Sequence, residues 1–216
     1  MEVRLQIEEQ AIAANKAARA LANVSTKVKN GALQAMAEAL CLCKNYILEE
    51  NRADMESARQ NGMSESMLDR LMLTEGRIEG MAEGLRQVAE LADPVGEVIS
   101  GRQLANGLNL TKVRVPLGVI AIIYEARPNV TADAIGLCLK SGNAVILKGG
   151  SEAIRSNKAI AGVLTEAAEN AGIPKASVQF IDSVDRTAVQ ELIRMDRYVD
   201  VVIPRGGAGL IKMVVQ

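Results

Sequence analysis

The sequence of 216 residues contains no histidine and no tryptophan. Without histidine, Ser-His-Asp and Cys-His nucleophile activation and histidine-ligated zinc sites are excluded. Three tyrosines and one phenylalanine are the remaining aromatics, and 25 Lys and Arg nearly balance 26 Asp and Glu. Because neither a basic surface nor a set of stacking rings is available, we expect no nucleic-acid partner.

Long hydrophobic runs are also missing. No stretch is long enough to span a bilayer, and Met1–Gln6 lack the basic-then-apolar layout of a signal peptide. We therefore expect a soluble, globular, cytoplasmic protein with no membrane partner. About half of its residues are apolar, which is ample for a core.

Cysteine is scarce and odd in number, which favours free thiols in a reducing compartment. Cys41 and Cys43 form a C-x-C pair with no ligand cluster nearby, so helix packing explains them better than a metal or redox site. Cys138 lies in an apolar run and is predicted to be a core thiol. We expect no metal site.

The first part of the chain, residues 1–96, is rich in alanine, methionine and glutamate and is predicted to be helical. Apolar residues recur at helical spacing from Val28 to Ile47 and form one stripe. Asn61 and Gly62 break this layer, and Thr74 is a plausible cap for the following helix.

Residues 97–115 have the pattern of a β-hairpin. The runs Glu97–Leu104 and Leu108–Val115 alternate in part, and Asn106 and Gly107 between them favour a tight turn. The pattern does not decide whether the hairpin projects as an arm or lies on its own domain.

Residues 116–216 alternate between strand and helix and predict an open parallel sheet. The strands are placed at Val119–Tyr124, Ala144–Leu147, Val178–Ile181 and Val199–Ile203. Lys140 before Gly142, and the run Ala171–Pro174, are helix stop signals. The fold class is α/β: an amino-terminal helical layer and hairpin, then a Rossmann-like cofactor-binding sheet.

Polar residues and glycines follow the strands of this sheet, at whose carboxyl ends open parallel sheets bind ligands. They are Glu125, Arg127 and Asn129 after the first strand, Lys148, Gly149, Gly150 and Ser151 after the second, and Arg205, Gly206 and Gly207 after the last. The glycines would let a ligand approach the backbone beside a positive charge, as in a nucleotide site. Taken by itself, the run Lys148–Gly150 is more typical of a solvated lysine before a glycine turn. The turn Arg205–Gly207 is compatible with a purely structural role.

Two long stretches, Ile123–Thr131 (IYEARPNVT) and Cys138–Gly150 (CLKSGNAVILKGG), carry a family resemblance. They are similar to the γ-glutamyl phosphate reductases, or glutamate-5-semialdehyde dehydrogenases, of the aldehyde dehydrogenase superfamily. The likeness covers the whole chain and includes Val201–Gly207. The family's nucleophilic cysteine falls beyond Gln216, so the chain matches the amino-terminal half, without the catalytic domain, and is expected to be inactive alone.

The resemblance implies roles for the candidate residues. Asn129 would donate its side-chain amide to the oxygen of the reaction intermediate. The cofactor-binding residues would be Lys148, Gly149, Gly150, Ser151 and Glu152 around the adenosine ribose, and Arg205, Gly206 and Gly207 near the pyrophosphate. Glu125 and Arg127 either flank the substrate or pair with each other.

The activity implied is the NADPH-dependent reduction of L-glutamyl 5-phosphate to L-glutamate 5-semialdehyde, with release of phosphate, in proline biosynthesis. NADPH/NADP would be the cofactor, glutamate 5-kinase the upstream enzyme, and the full-length protein a homo-oligomer that uses the hairpin as its arm. The alternatives are another aldehyde or acyl-phosphate dehydrogenase of the superfamily, and a non-catalytic nucleotide-binding or interaction protein.

Overall fold

The computed structural model describes residues 2–185 and 187–215. Five α-helices come first within this range: α1 (Glu2–Leu21), α2 (Thr26–Leu42), α3 (Lys44–Gln60), α4 (Glu65–Leu71) and α5 (Glu75–Glu90). A hairpin of β1 (Val98–Gln103) and β2 (Asn109–Val113) follows. The rest alternates as β3 (Val119–Tyr124), α6 (Asn129–Lys140), β4 (Ala144–Lys148), α7 (Ile154–Asn170), β5 (Val178–Phe180), α8 (Thr187–Ile193), β6 (Val201–Arg205) and α9 (Ala208–Val215).

The four predicted strands form one parallel sheet in the order β5-β4-β3-β6, which confirms the predicted fold class. The strand β6 begins two residues later than expected. The preceding residues form a turn, in which the Val199 N–H donates to the Met195 carbonyl (2.8 Å). The next residue, Asp200, donates its N–H to the carbonyl of Val119 in β3 (3.0 Å).

Helices cover both faces of the sheet. Alternate residues of β3 point to opposite sides because successive side chains of a strand do so. Ile120, Ile122 and Tyr124 pack with α2, α5, α6 and α7, whereas Val119, Ala121 and Ile123 pack with α1 and α8. The first five helices are therefore not one layer, since α1 lies across the sheet from α2 and α5.

The apolar stripe from Val28 to Ile47 spans two helices, where the sequence pattern suggested one. Cys43 lies in the break, and its N–H donates to the Ala39 carbonyl (2.9 Å) while its carbonyl accepts from Ile47 (3.1 Å). The apolar period continues across this break, so periodicity alone does not reveal it. The break after Gln60 and the Thr74 cap on the Arg77 N–H (3.2 Å) are confirmed.

A buried ionic cluster joins α2, α6 and the loop after α5. The Lys29 ammonium, 2% exposed, lies 2.5 Å from the Asp93 carboxylate. Asp93 also accepts hydrogen bonds from the Thr26 hydroxyl (2.7 Å) and the Val95 N–H (3.0 Å). The buried Lys140 ammonium donates to Asn30 (2.6 Å) and to the Ala89 carbonyl (2.9 Å). The cluster fixes the loop that leads into the hairpin.

The predicted hairpin is confirmed as an antiparallel pair, with Gln103 opposite Asn109. Every residue of both strands is exposed, and apolar side chains such as Val98 (61%) and Leu110 (50%) face solvent. Among the described helices, none has both the length and the apolar character needed to cross a membrane.

Candidate functional site

The carboxyl ends of three neighbouring strands meet at one edge of the sheet. The parallel register places Ile123 of β3 opposite Lys148 of β4, and Tyr124 opposite Arg205 of β6. The turns that follow these strands carry the residues singled out in the sequence. The topology therefore brings the three candidate segments to one edge.

Two clefts open at this edge. The Asn129 cleft, of about 380 Å³, is lined by Asp69, Arg70, Arg77, Arg127, Asn129 and Asp133, among others. The Gly207 cleft, of about 390 Å³, is lined by Arg70, Glu125, Arg127, Arg205, Gly206 and Gly207, among others. Arg70 and Arg127 line both clefts and so stand at their boundary.

Asn129 is the first residue of α6, and its side chain is partly buried in the Asn129 cleft. Its amide nitrogen donates to the Asp133 carboxylate one helical turn later (3.3 Å). Burial raises the pKa of Asp133, while the Arg205 charge and the Asn129 hydrogen bond oppose that rise. A primary amide has two N–H groups, so the second can donate to a ligand oxygen.

Glu125 and Arg127 do not pair with each other. Both carboxylate oxygens of Glu125 accept from the Gly207 N–H at 3.1 Å, at the start of α9. A carboxylate is favourable there because the amino end of a helix carries partial positive charge. Within the described residues Arg127 forms no ion pair, and its guanidinium borders both clefts.

Lys148 is only 6% exposed, and its ammonium donates to the Gly149 carbonyl (2.7 Å). Burial lowers the pKa of Lys148, and the nearby Glu152 carboxylate opposes this effect. Ser151 and Glu152 line a third cleft of about 570 Å³ against α3, among whose lining residues Lys148 does not appear. The structure therefore places these three residues side by side without joining them around one cleft.

A chain of buried hydrogen bonds lies beneath the turn after β4. The Tyr124 hydroxyl is 2.7 Å from the Thr131 hydroxyl, which donates to the Asn157 side-chain oxygen (3.2 Å). Burial raises the pKa of Tyr124 and keeps its phenol neutral. A Cβ at Gly149 would collide with the Asn157 amide and lie 3.2 Å from the Tyr124 ring. Only glycine fits this turn without moving the chain beneath it.

The cysteines of the described chain are poor candidates for a nucleophile. Cys138 is 4% exposed, and burial raises the pKa of its thiol to about 12. Cys41 and Cys43 lie at the end of α2 and at the break after it, and line none of the three clefts above. Because the thiolate is the reactive form, a neutral buried thiol is inert.

Sequence reasoning missed the contribution of the helical part to the clefts. Arg70 at the exposed end of α4 and Arg77 at the start of α5 line the Asn129 cleft. The Arg77 guanidinium donates to the Asp69 carboxylate (2.8 Å) and the Met72 carbonyl (2.7 Å), which fixes the α4–α5 connection. No motif marked these residues, and their closely spaced charges gave the only hint.

Comparisons with known proteins agree with this architecture. The chain is 55% identical over 215 residues to the gamma-glutamyl phosphate reductase of Halothermothrix orenii, covering 100% of this chain and 51% of that protein. The crystal structure of the Thermotoga maritima gamma-glutamyl phosphate reductase matches with a TM-score of 0.95 and 47% identity, over 97% of this chain and 50% of that one. The Saccharomyces cerevisiae enzyme gives a TM-score of 0.87 at 35% identity, over 95% and 52%.

The chain thus spans about half the length of the relatives it matches. The aldehyde dehydrogenase family model aligns with residues 3–215, which is nearly all of the sequence. The fold of this chain therefore matches these two solved structures over 95–97% of its length. On these grounds, the chain belongs to the aldehyde dehydrogenase family.

Proposed function

We propose that this chain supplies the cofactor-binding half of a reductase that converts L-glutamyl 5-phosphate to L-glutamate 5-semialdehyde with NADPH, releasing phosphate, in proline biosynthesis. The observation that carries the proposal is the meeting of the β3, β4 and β6 ends, with Asn129, Lys148 and Gly207 at one edge. The relatives at 47–55% identity are gamma-glutamyl phosphate reductases, which supports the same reaction.

The residues present suit a dinucleotide. A side chain is excluded at Gly149 by Asn157 and at Gly150 by the Glu152 carboxylate. The backbone of this turn therefore stays uncovered, and a ligand would be able to approach it closely. Lys148 and Ser151 would hold the adenosine ribose, and the turn Arg205–Gly207 the pyrophosphate. NADPH, when bound, supplies the hydride, and the protein supplies position and electrostatics.

In the proposed reaction, Asn129 donates its free amide N–H to the oxygen that gains negative charge. A preorganised donor of this kind contributes about 3–4 kcal/mol to the stability of a transition state. The proposal extends to the hairpin 97–115 as an oligomerisation arm and to glutamate 5-kinase as the source of the substrate. A cytoplasmic location stays a prediction of the sequence.

Replacing Lys148 with methionine should weaken NADPH binding about ten-fold or more, because a charge-assisted hydrogen bond to the ribose or its 2′-phosphate is lost. We expect the unaltered chain to prefer NADPH over NADH. Fluorescence titration with both cofactors measures this, with Lys175→Met as the control at an exposed lysine. Equal or tighter NADH binding by the unaltered chain would contradict NADPH specificity.

Deleting Gly101–Lys112 from the full-length protein should lower its number of subunits in solution, and so its mass, if the hairpin is an oligomerisation arm. The deletion should leave the fold intact because both strands lie outside the buried clusters. Light scattering reports the mass, and circular dichroism checks the fold. A folded deletion variant of unchanged subunit number would reject the arm.

A further inference from the structure

We propose that Arg70 and Arg127 form a phosphoryl-binding pair that holds the phosphate of the acyl phosphate substrate. The inference rests on the proposed function and deepens it, because it assigns the recognition of the leaving group to two named side chains. Arg70 had no assigned role, and Arg127 was expected only to flank the substrate or to pair with Glu125.

The two arginines come from different parts of the fold. Arg70 lies near the end of α4, and Arg127 lies in the turn between β3 and α6. Both line the Asn129 cleft and the Gly207 cleft. The proposed phosphate lies at this boundary, beside both residues.

The acidic side chains of the two clefts are already engaged. The Asp69 carboxylate pairs with Arg77 (2.8 Å), Glu125 accepts from the Gly207 N–H, and Asp133 accepts from Asn129. Neither Arg70 nor Arg127 has a carboxylate partner in the part of the chain that the structure describes. Two such cations at one opening repel each other, and a dianion between them removes that repulsion.

A phosphate suits the pair in geometry as well as charge. Each guanidinium presents a planar fork of N–H donors that binds phosphate oxygens in bidentate fashion. Arg77 holds the α4–α5 connection through Asp69 and Met72, so the segment that carries Arg70 is fixed before a ligand arrives. This anchoring lowers the entropic cost of binding.

The position of the pair favours the phosphate of the substrate over those of the cofactor. The Asn129 cleft holds the amide that is proposed to donate a hydrogen bond to the acyl oxygen. The Gly207 cleft holds the turn that is proposed to bind the cofactor. In an acyl phosphate, the phosphate is bonded to the same carbon as that acyl oxygen. The boundary beside Asn129 is therefore where the phosphate of the substrate would lie.

The test is a titration of the chain with inorganic phosphate, followed through the arginine side-chain N–H signals in nuclear magnetic resonance spectra. We expect Arg70→Met and Arg127→Met each to raise the dissociation constant for phosphate about ten-fold or more, as expected for the loss of a charge-assisted contact. Arg59→Met, at an exposed arginine that lines neither cleft, is the control and should leave the constant unchanged. Thermal melting checks that each variant folds.

The same samples separate this inference from the proposed function. Phosphate binding that is insensitive to both substitutions, or equally strong binding of L-glutamate at the pair, would overturn the phosphoryl assignment. Weaker NADPH binding in Arg70→Met would indicate that the pair binds the cofactor, and it would also overturn the phosphoryl assignment. Phosphate binding at the pair by a folded chain that fails to bind NADPH would support a phosphate site at the pair and reject the proposed cofactor-binding role of the chain.

Discussion

Replacing Asp93 with alanine should lower the free energy of unfolding by about 3–5 kcal/mol, the usual cost of removing one partner from a buried ion pair. The substitution leaves the Lys29 ammonium, 2% exposed, without its carboxylate 2.5 Å away. Lys140 is also buried and loses the nearby negative charge that favours its ammonium form. Urea unfolding followed by circular dichroism measures the effect.

Asp182→Ala is the matched control. Its carboxylate pairs with Lys158 at 2.9 Å, but the side chains are 40% and 65% exposed. Exposed pairs contribute about 0–1 kcal/mol because water screens them. Similar losses of unfolding free energy in the two variants would contradict the assignment of Lys29, Asp93 and Lys140 as a buried, mutually dependent group, the Asp93 cluster.

The Asp93 cluster should also make stability depend on acid pH. Burial alone would raise the pKa of Asp93, but hydrogen bonds from Lys29, Thr26 and Val95 outweigh it and hold the pKa below its usual 3.8. The stabilisation is therefore fully present above the unfolded-state pKa and is lost as the pH falls through the lower, folded-state pKa. The contribution of Asp93 should change little between pH 7 and pH 5 and fall below about pH 4. Asp93→Ala should lack this component.

The polypeptide of residues 1–216 should not reduce L-glutamyl 5-phosphate at an enzymatic rate. The proposed reaction needs an exposed thiolate, and the Cys138 thiol is buried with a pKa raised to about 12. At neutral pH this thiol therefore stays protonated, unlike that of an activated cysteine. Cys41 and Cys43 lie outside the two clefts at the strand ends.

An NADPH oxidation assay on the pure chain, beside Cys138→Ala, tests this expectation. NADPH binding measured on the same sample shows that the chain is folded and can take up the cofactor. Clear turnover that disappears in Cys138→Ala would contradict both the absence of activity and the assignment of Cys138 to the core.

Local patterns predicted most of the elements. The strand Val119–Tyr124 was predicted at its observed bounds because its apolar run is buried on both faces and ends in a polar turn. The end of α6 was predicted because a glycine, Gly142, follows Lys140. In the structure Gly142 adopts a φ of 75°, which glycine reaches without strain. The side of the sheet taken by α1 and the break at Cys43 depend on tertiary packing, which periodicity does not encode.

The site was predicted in outline only. The meeting of the strand ends follows from parallel topology, so Asn129 and Arg205–Gly207 could be assigned to one edge from the sequence. The bond from Glu125 to Gly207 joins residues 82 positions apart, and no local pattern predicts it. The placement of Arg70 beside the clefts depends on how α4 packs against α3, which no local pattern encodes. The burial of Lys148 was not predicted either, because a charged side chain at a strand end is ordinarily expected in solvent.

The hydrogen-bonded chain beneath Gly149 has a consequence for how this sequence can evolve. Asn157 fills the space that a side chain at position 149 would need, and Thr131 and Tyr124 hold Asn157 in place. A larger residue at position 149 is therefore tolerable only after position 157 has become smaller, and that change would remove the hydrogen bond from the Thr131 hydroxyl to Asn157. Substitutions at these positions must therefore be acquired together, and we expect the glycine turn and the polar chain below it to coevolve.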